Sequence, residues 1–162
     1  MTDVLPVLEE FYRDKIAAVL RHQAAAHHVA QYDANNAYQY VINREDTQLS
    51  WVARSIVDLG GEVPADGSEP ERKPSGKGMS AANTLFEEDA RDAAAFVTKW
   101  TPKVEALTNA RHRNMLRVIL GETIEQKRFF EQALAGRTDL LGRRTPGVGK
   151  LEGAVLPTRW VE

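Results

Sequence analysis

Residues 60–79 read GGEVPADGSEPERKPSGKGM, and the role of this stretch decides the fold. Three prolines and five glycines in twenty residues exclude a helix interior, because proline lacks the amide donor and clashes with the preceding turn. A connection of this length inside one compact domain needs a reason. It is either a disordered linker between two helical hairpins or a crossover running the length of a bundle. A crossover leaves the helices on either side of it parallel. Twenty extended residues reach roughly 65 Å, more than the length of such helices. The crossover is preferred, because neither hairpin alone would bury its apolar stripe.

Upstream, Tyr38, Val41, Glu45, Gln48, Val52, Ile56 and Leu59 recur at three- and four-residue steps, the spacing of one helix face. Gly60-Gly61 ends that helix, since glycine accepts the left-handed conformation at a C-terminus. Asp33 to Asn36 reads as the polar break before it. An earlier helix, from about Val4 to Gln31, carries Leu5, Leu8, Tyr12, Ile16, Val19, His22, Ala26 and Val29 as its stripe. Downstream, Ser80 is the expected N-cap of a third helix with Leu85, Phe86, Ala90, Ala93, Phe96, Val97 and Trp100 inward. Thr101-Pro102 either kinks that helix or opens the next. The fourth includes Arg111 to Ala135, with Met115, Val118, Ile119, Glu122, Gln126, Phe129 and Ala133 along one side, and Gly136 closes it. The chain therefore reads as an all-α protein. Residues 1–136 form a four-helix bundle with a crossover at 60–79, and residues 137–162 form an irregular, extended C-terminal tail. Leu140, Leu141, Leu151, Val155, Leu156 and Trp160 give the tail apolar groups to pack on its own bundle or a neighbour.

At 162 residues the chain is long enough for one domain with a real core. The net charge of −2 gives no nucleic-acid surface, and the four basic residues Arg143, Arg144, Lys150 and Arg159 of the tail are too dispersed to make one. No apolar run is long enough to span a membrane, and MTDVLPVLEEFYRD is acidic from its third residue, unlike a signal or transit peptide. The expected compartment is the cytoplasm. The absence of cysteine removes disulfides and thiolate metal sites, so any metal would be held by carboxylates and histidines. There is no serine-nucleophile motif, and Gly76-Lys77-Gly78 lacks the rest of a phosphate loop.

Some polar residues fall on the apolar stripes. Glu45 and Gln48 lie three residues apart on the second helix, and Glu122 and Glu125 repeat that spacing 77 residues later. A buried carboxylate without a partner takes a proton or finds a cation. His22, inward on the first helix, lies about as far from the first turn as Glu45 and is expected to meet it. Asp89 or Asp92 is the candidate from the third helix.

Two hairpins, a long crossover and the phrase REDTQLSWVARSIVDLGGEVP together resemble the ferritin-like superfamily (bacterioferritins, rubrerythrins and mini-ferritins). The resemblance covers about residues 4 to 135. It implies a di-metal site with one glutamate from each of two helices and a Glu-x-x-His pair from each of the others. Glu45 and Glu122 match the two pair glutamates, while Gln48 and Glu125 stand in place of the histidines. His22 lies near the first-helix ligand position and Asp92 within a turn of the third. The implied cofactor is iron or manganese, at a site of Glu45, Glu122, Glu125, His22, Gln48 and Asp92. The implied chemistry is oxygen- or peroxide-dependent oxidation of ferrous iron. Against this stands a metal-free, noncatalytic protein in which the polar groups satisfy one another and the bundle serves as a structural or interaction module. A DinB-like metal-dependent enzyme is a third alternative, though His22, His27, His28 and His112 give no clean histidine pair at one-turn spacing. With no fifth helix evident, a homodimer is expected rather than a closed shell.

Overall fold

The computed structural model describes residues 3–137 and 139–141. Among these described residues there are four helices: α1 (Val4–Ala26), α2 (Tyr32–Asp58), α3 (Met79–Glu105) and α4 (Ala110–Leu134). They pack as two hairpins, α1 on α2 and α3 on α4, joined by the crossover.

Pairs across the hairpins fix the helix directions. Glu10 meets Lys103, Asp14 meets Lys99, and Arg21 meets Asp92, so α1 and α3 are antiparallel. Tyr40 packs on Phe129, Arg44 meets Glu122, and Ser55 meets Met115, so α2 and α4 are antiparallel as well. Hence α2 and α3 run the same way, and residues 59–78 travel the length of the bundle to join them. They travel along α1. Gly61 lies against Leu5, Asp66 accepts from the Tyr12 hydroxyl at 3.1 Å, Gly67 faces Leu20, and Arg72 reaches the backbone carbonyl of Arg21 at 3.1 Å.

The core has two apolar clusters. One joins Leu8, Phe11, Val52, Ile56, Trp100, Val104 and Leu116. The other joins Ala25, Tyr38, Val41, Leu85, Phe86, Phe130 and Leu140 at the opposite end. Glycine closes α2 and α4 in the same manner. Gly60 adopts φ +78°, Gly60 N–H donates to Val57 O, and Gly61 N–H donates to Ile56 O. Gly136 at φ +81° and Arg137 repeat the pattern on Ala133 and Gln132.

Three expectations need correction, and the alternative left open at Thr101-Pro102 is resolved. The first turn lies at residues 27–31, not at Asp33 to Asn36. Gln31 accepts from Ala34 N–H as the cap of α2, and Asn35 donates to the carbonyls of Ala26 and Val29, so those polar residues build the first turn of the helix. Ser80 is already helical, and α3 starts behind Gly78 without a side-chain cap. Pro102 sits inside α3, in its last turn, and α4 begins separately behind Asn109, which accepts from His112 N–H. Finally, the buried face of α4 runs through His112, Leu116, Ile119, Leu120, Thr123, Gln126, Phe130 and Ala133, while Val118 is 52% exposed. The stripe is thus rotated away from Glu122 and Glu125. Leu140 is buried and Leu141 exposed, and Leu151, Val155, Leu156 and Trp160 lie outside the described residues.

Candidate functional site

Glu45 occupies the middle of α2 and is completely buried. Both of its oxygens face α1. His22 Nδ1 lies 2.5 Å from Oε1, and Lys15 Nζ lies 2.9 Å from Oε2 as an ion contact. Lys15 is itself 1% exposed, and its Nζ also sits 5.3 Å from the centre of the Phe96 ring. Lys15 and His22 are seven residues apart, two helical turns on the same face, so one helix delivers both to the carboxyl. Burial pushes the Glu45 carboxyl up, but the charges of His22 and Lys15 and their hydrogen bonds more than offset it and bring it down to about 2. This group is a fixed carboxylate, already neutralised by its own chain.

A second buried carboxyl lies next to it. Asp89 on α3 is also fully buried, and the Tyr38 hydroxyl donates to its Oδ2. Arg72, from the crossover, places Nη1 2.8 Å from Oδ1 and 3.1 Å from Oδ2, while its Nη2 donates to Glu88 at 2.7 Å. Burial raises the Tyr38 phenol well above its usual range, and the Asp89 charge adds to that. The two centres are adjacent. The His22 and Tyr38 rings are 6.2 Å apart, and both rings also pack on Phe130, at 5.4 and 5.3 Å. One buried chain of groups therefore runs Lys15, Glu45, His22, Tyr38, Asp89, Arg72.

The six residues assigned to a metal site fall in several places. His22 and Glu45 meet, as their equal distance from the turn implies. Gln48 is fully buried, and its amide donates to Glu122, which Arg44 also holds at 2.5 Å. Glu122 sits at the α2–α4 edge with its side chain 31% exposed, beside a cleft of about 220 Å³ that it shares with Tyr40, Arg44, Glu125, Gln126 and Phe129. Glu125 is on the outer face and pairs with Arg128. Asp92 pairs with Arg21 at 3.3 Å near the surface. Among the described residues, no group of three or more histidines, aspartates or glutamates is placed to hold a metal ion.

Of the residues that form the buried chain, the sequence pattern marks His22, Tyr38 and Glu45 as inward and offers Asp89 only as an alternative to Asp92. Lys15 carried a signal, because it falls at the inward spacing between Phe11 and Val19. Arg72 carried none, since the crossover has no periodicity to place it.

No family model, curated protein or solved structure matches this chain.

Proposed function

We propose that this chain is a ferritin-like bundle whose core carboxylates are neutralised by cations of the chain itself, and that it acts as a metal-free structural or interaction module. Two hairpins joined by a crossover, with the second and third helices parallel, support the ferritin-like reading. The observation that carries the metal-free reading is the Lys15 ammonium 2.9 Å from Glu45, the carboxylate that the resemblance makes central. A divalent ion at Glu45 would have to displace a buried ammonium and a histidine together. Arg72 at Asp89 and Arg44 at Glu122 repeat the device on the other helices.

The interaction role draws on the outer face of α2 and α4. Tyr40 (44% exposed) packs on half-buried Phe129 there, and Val118 (52% exposed) lies on the same side of α4, three turns before Phe129. That face suits a second copy of the chain. Light scattering on the purified protein is expected to give a dimer that Val118→Glu converts to monomer.

The competing reading, an iron or manganese site, draws on Glu122 and Glu125 beside the solvent-accessible α2–α4 cleft. Elemental analysis of protein purified without chelators, followed by ferrous titration in air, separates the two. Metal below stoichiometry, with oxidation no faster than buffer, is the expected result. About two ions per chain, lost in Glu45→Ala, would instead establish a working di-metal centre.

A further inference from the structure

The crossover is held differently from the rest of the molecule. Among the described residues, no backbone hydrogen bond ties residues 62–77 to any helix, and side chains make the attachments. Tyr12 reaches Asp66 at the middle of the run, and exposed His27 meets Glu69 at 3.0 Å. Val63 packs against the edge of the apolar core, and Arg72 makes the polar attachment to a fully buried group. It binds Asp89 through both carboxylate oxygens, Glu88 through Nη2 and the Arg21 carbonyl through Nη1, with its side chain 8% exposed. Packing beneath the segment is incomplete. A groove of about 430 Å³ lies between Ile16, Leu20 and the stretch Ala65–Pro70, and another of about 380 Å³ separates Ala24 and His28 from the stretch after Glu69.

We infer that the crossover is a strap that opens as a unit, with Arg72 as its latch and the buried Asp89–Tyr38 pair as the catch. A segment with few apolar contacts and no backbone ladder belongs to the low-stability end of a protein, where local opening precedes global unfolding. The charge-assisted guanidinium–carboxylate contact, with Nη1 shared between the two Asp89 oxygens, is the strongest kind of attachment among those present, and it is desolvated on the aspartate side. Withdrawing Arg72 breaks three polar partnerships at once and bares Asp89, the Tyr38 hydroxyl and the neighbouring flank of α1. Every helix, by contrast, is fixed by its own backbone ladder and by an apolar face. The strap is therefore the element through which the buried chain of polar groups communicates with solvent.

Limited trypsinolysis of the full chain tests this, because Lys77 lies in the same strap five residues after the latch, is exposed and is followed by glycine, whereas the Lys73–Pro74 bond resists trypsin. Cleavage of a transiently opened segment tracks the population of the open form. In Arg72→Ala, cleavage after Lys77 is expected to rise on the order of tenfold or more, while cleavage after Arg54, Arg91 and Arg117 within the helices stays at the wild-type rate. Millimolar guanidinium ion, too dilute to denature, is expected to slow Lys77 cleavage in Arg72→Ala and to leave the wild type unaffected. Arg72→Lys serves as the control in which the fold is least disturbed, and it is expected to fall between the two. Equal Lys77 cleavage in wild type and Arg72→Ala would overturn the latch. So would a rise at the helical sites that matches the rise at Lys77, since Arg72 would then support the whole core and not the strap.

Discussion

Lys15 Nζ stands 2.9 Å from Glu45 Oε2 with both side chains excluded from solvent, so the most deeply buried carboxylate of α2 carries its own counter-ion from α1. The pair joins the two helices of the first hairpin at its centre and fixes their register. A buried ion pair is weak evidence of net stability, because desolving both charges costs about as much as their attraction returns. It is strong evidence that neither partner tolerates loss of the other.

Removing Lys15 alone therefore leaves a buried carboxylate with only His22. Lys15→Met is expected to lower unfolding free energy by about 3–5 kcal/mol in urea titrations. The double variant Lys15→Met, Glu45→Leu is expected to regain most of that loss, because no charge is left uncompensated. A single variant within about 1 kcal/mol of wild type would show that the pair is solvated in practice.

The same group makes stability depend on acid. Glu45 ionises at about 2 in the folded protein, against 4.5 for the free side chain. Its carboxylate thus contributes stability in full above 4.5, and that contribution is lost as pH falls through 2. The window is worth about 3 kcal/mol, at roughly 1.4 kcal/mol per unit. Urea midpoints measured between pH 6 and pH 2 are expected to fall in wild type and to fall less steeply in Glu45→Gln. Parallel slopes in the two proteins would assign the acid sensitivity to other carboxylates.

Tyr38→Phe removes one donor from Asp89 and leaves Arg72 in place. Because the vacated carboxylate oxygen also accepts from Arg72 Nη1 at 3.1 Å, the cost is that of one hydrogen bond to a charged group, about 1.5–3 kcal/mol. Thermal unfolding of the variant checks this, and the aromatic packing on Phe86 and Phe130 remains as a control on the fold.

The helices and their glycine ends were legible because periodicity and left-handed termini are local. The crossover was legible from its prolines and its length. What failed in each case depended on distant groups. Asp33 to Asn36 looks like a break until Asn35 is seen to reach back across the turn to Ala26 and Val29. Glu122 looks inward on a stripe through Val118, but α4 is rolled so that Leu116, Thr123 and Phe130 point to the core. The meeting of His22 and Glu45 followed from counting residues on either side of a turn. The Arg72 contact with Asp89 joins a non-periodic segment to a helix 17 residues on, and no local pattern marks it.

Gly60 and Gly61 stand side by side for different reasons, and a double-mutant cycle separates them. Gly60 needs its positive φ, and an added Cβ would meet nothing within 4 Å. Gly60→Ala is expected to cost about 1 kcal/mol, paid in backbone strain alone, and the cost should not change with neighbouring side chains. A Cβ on Gly61 would stand 2.4 Å from Leu5 Cδ1 and 3.0 Å from Ile56 Cγ2. The Leu5 methyl is the far end of a flexible, half-buried side chain and can give way, so the cost falls at the low end of overpacking, about 1 kcal/mol. In a Leu5→Ala background the Gly61→Ala cost is expected to shrink by more than half while the Gly60→Ala cost stays constant. Urea unfolding of the four combinations measures both couplings. If Gly61→Ala costs the same with and without the Leu5 side chain, the crossover does not leave α2 against the first turn of α1, and its course along α1 would have to begin further on.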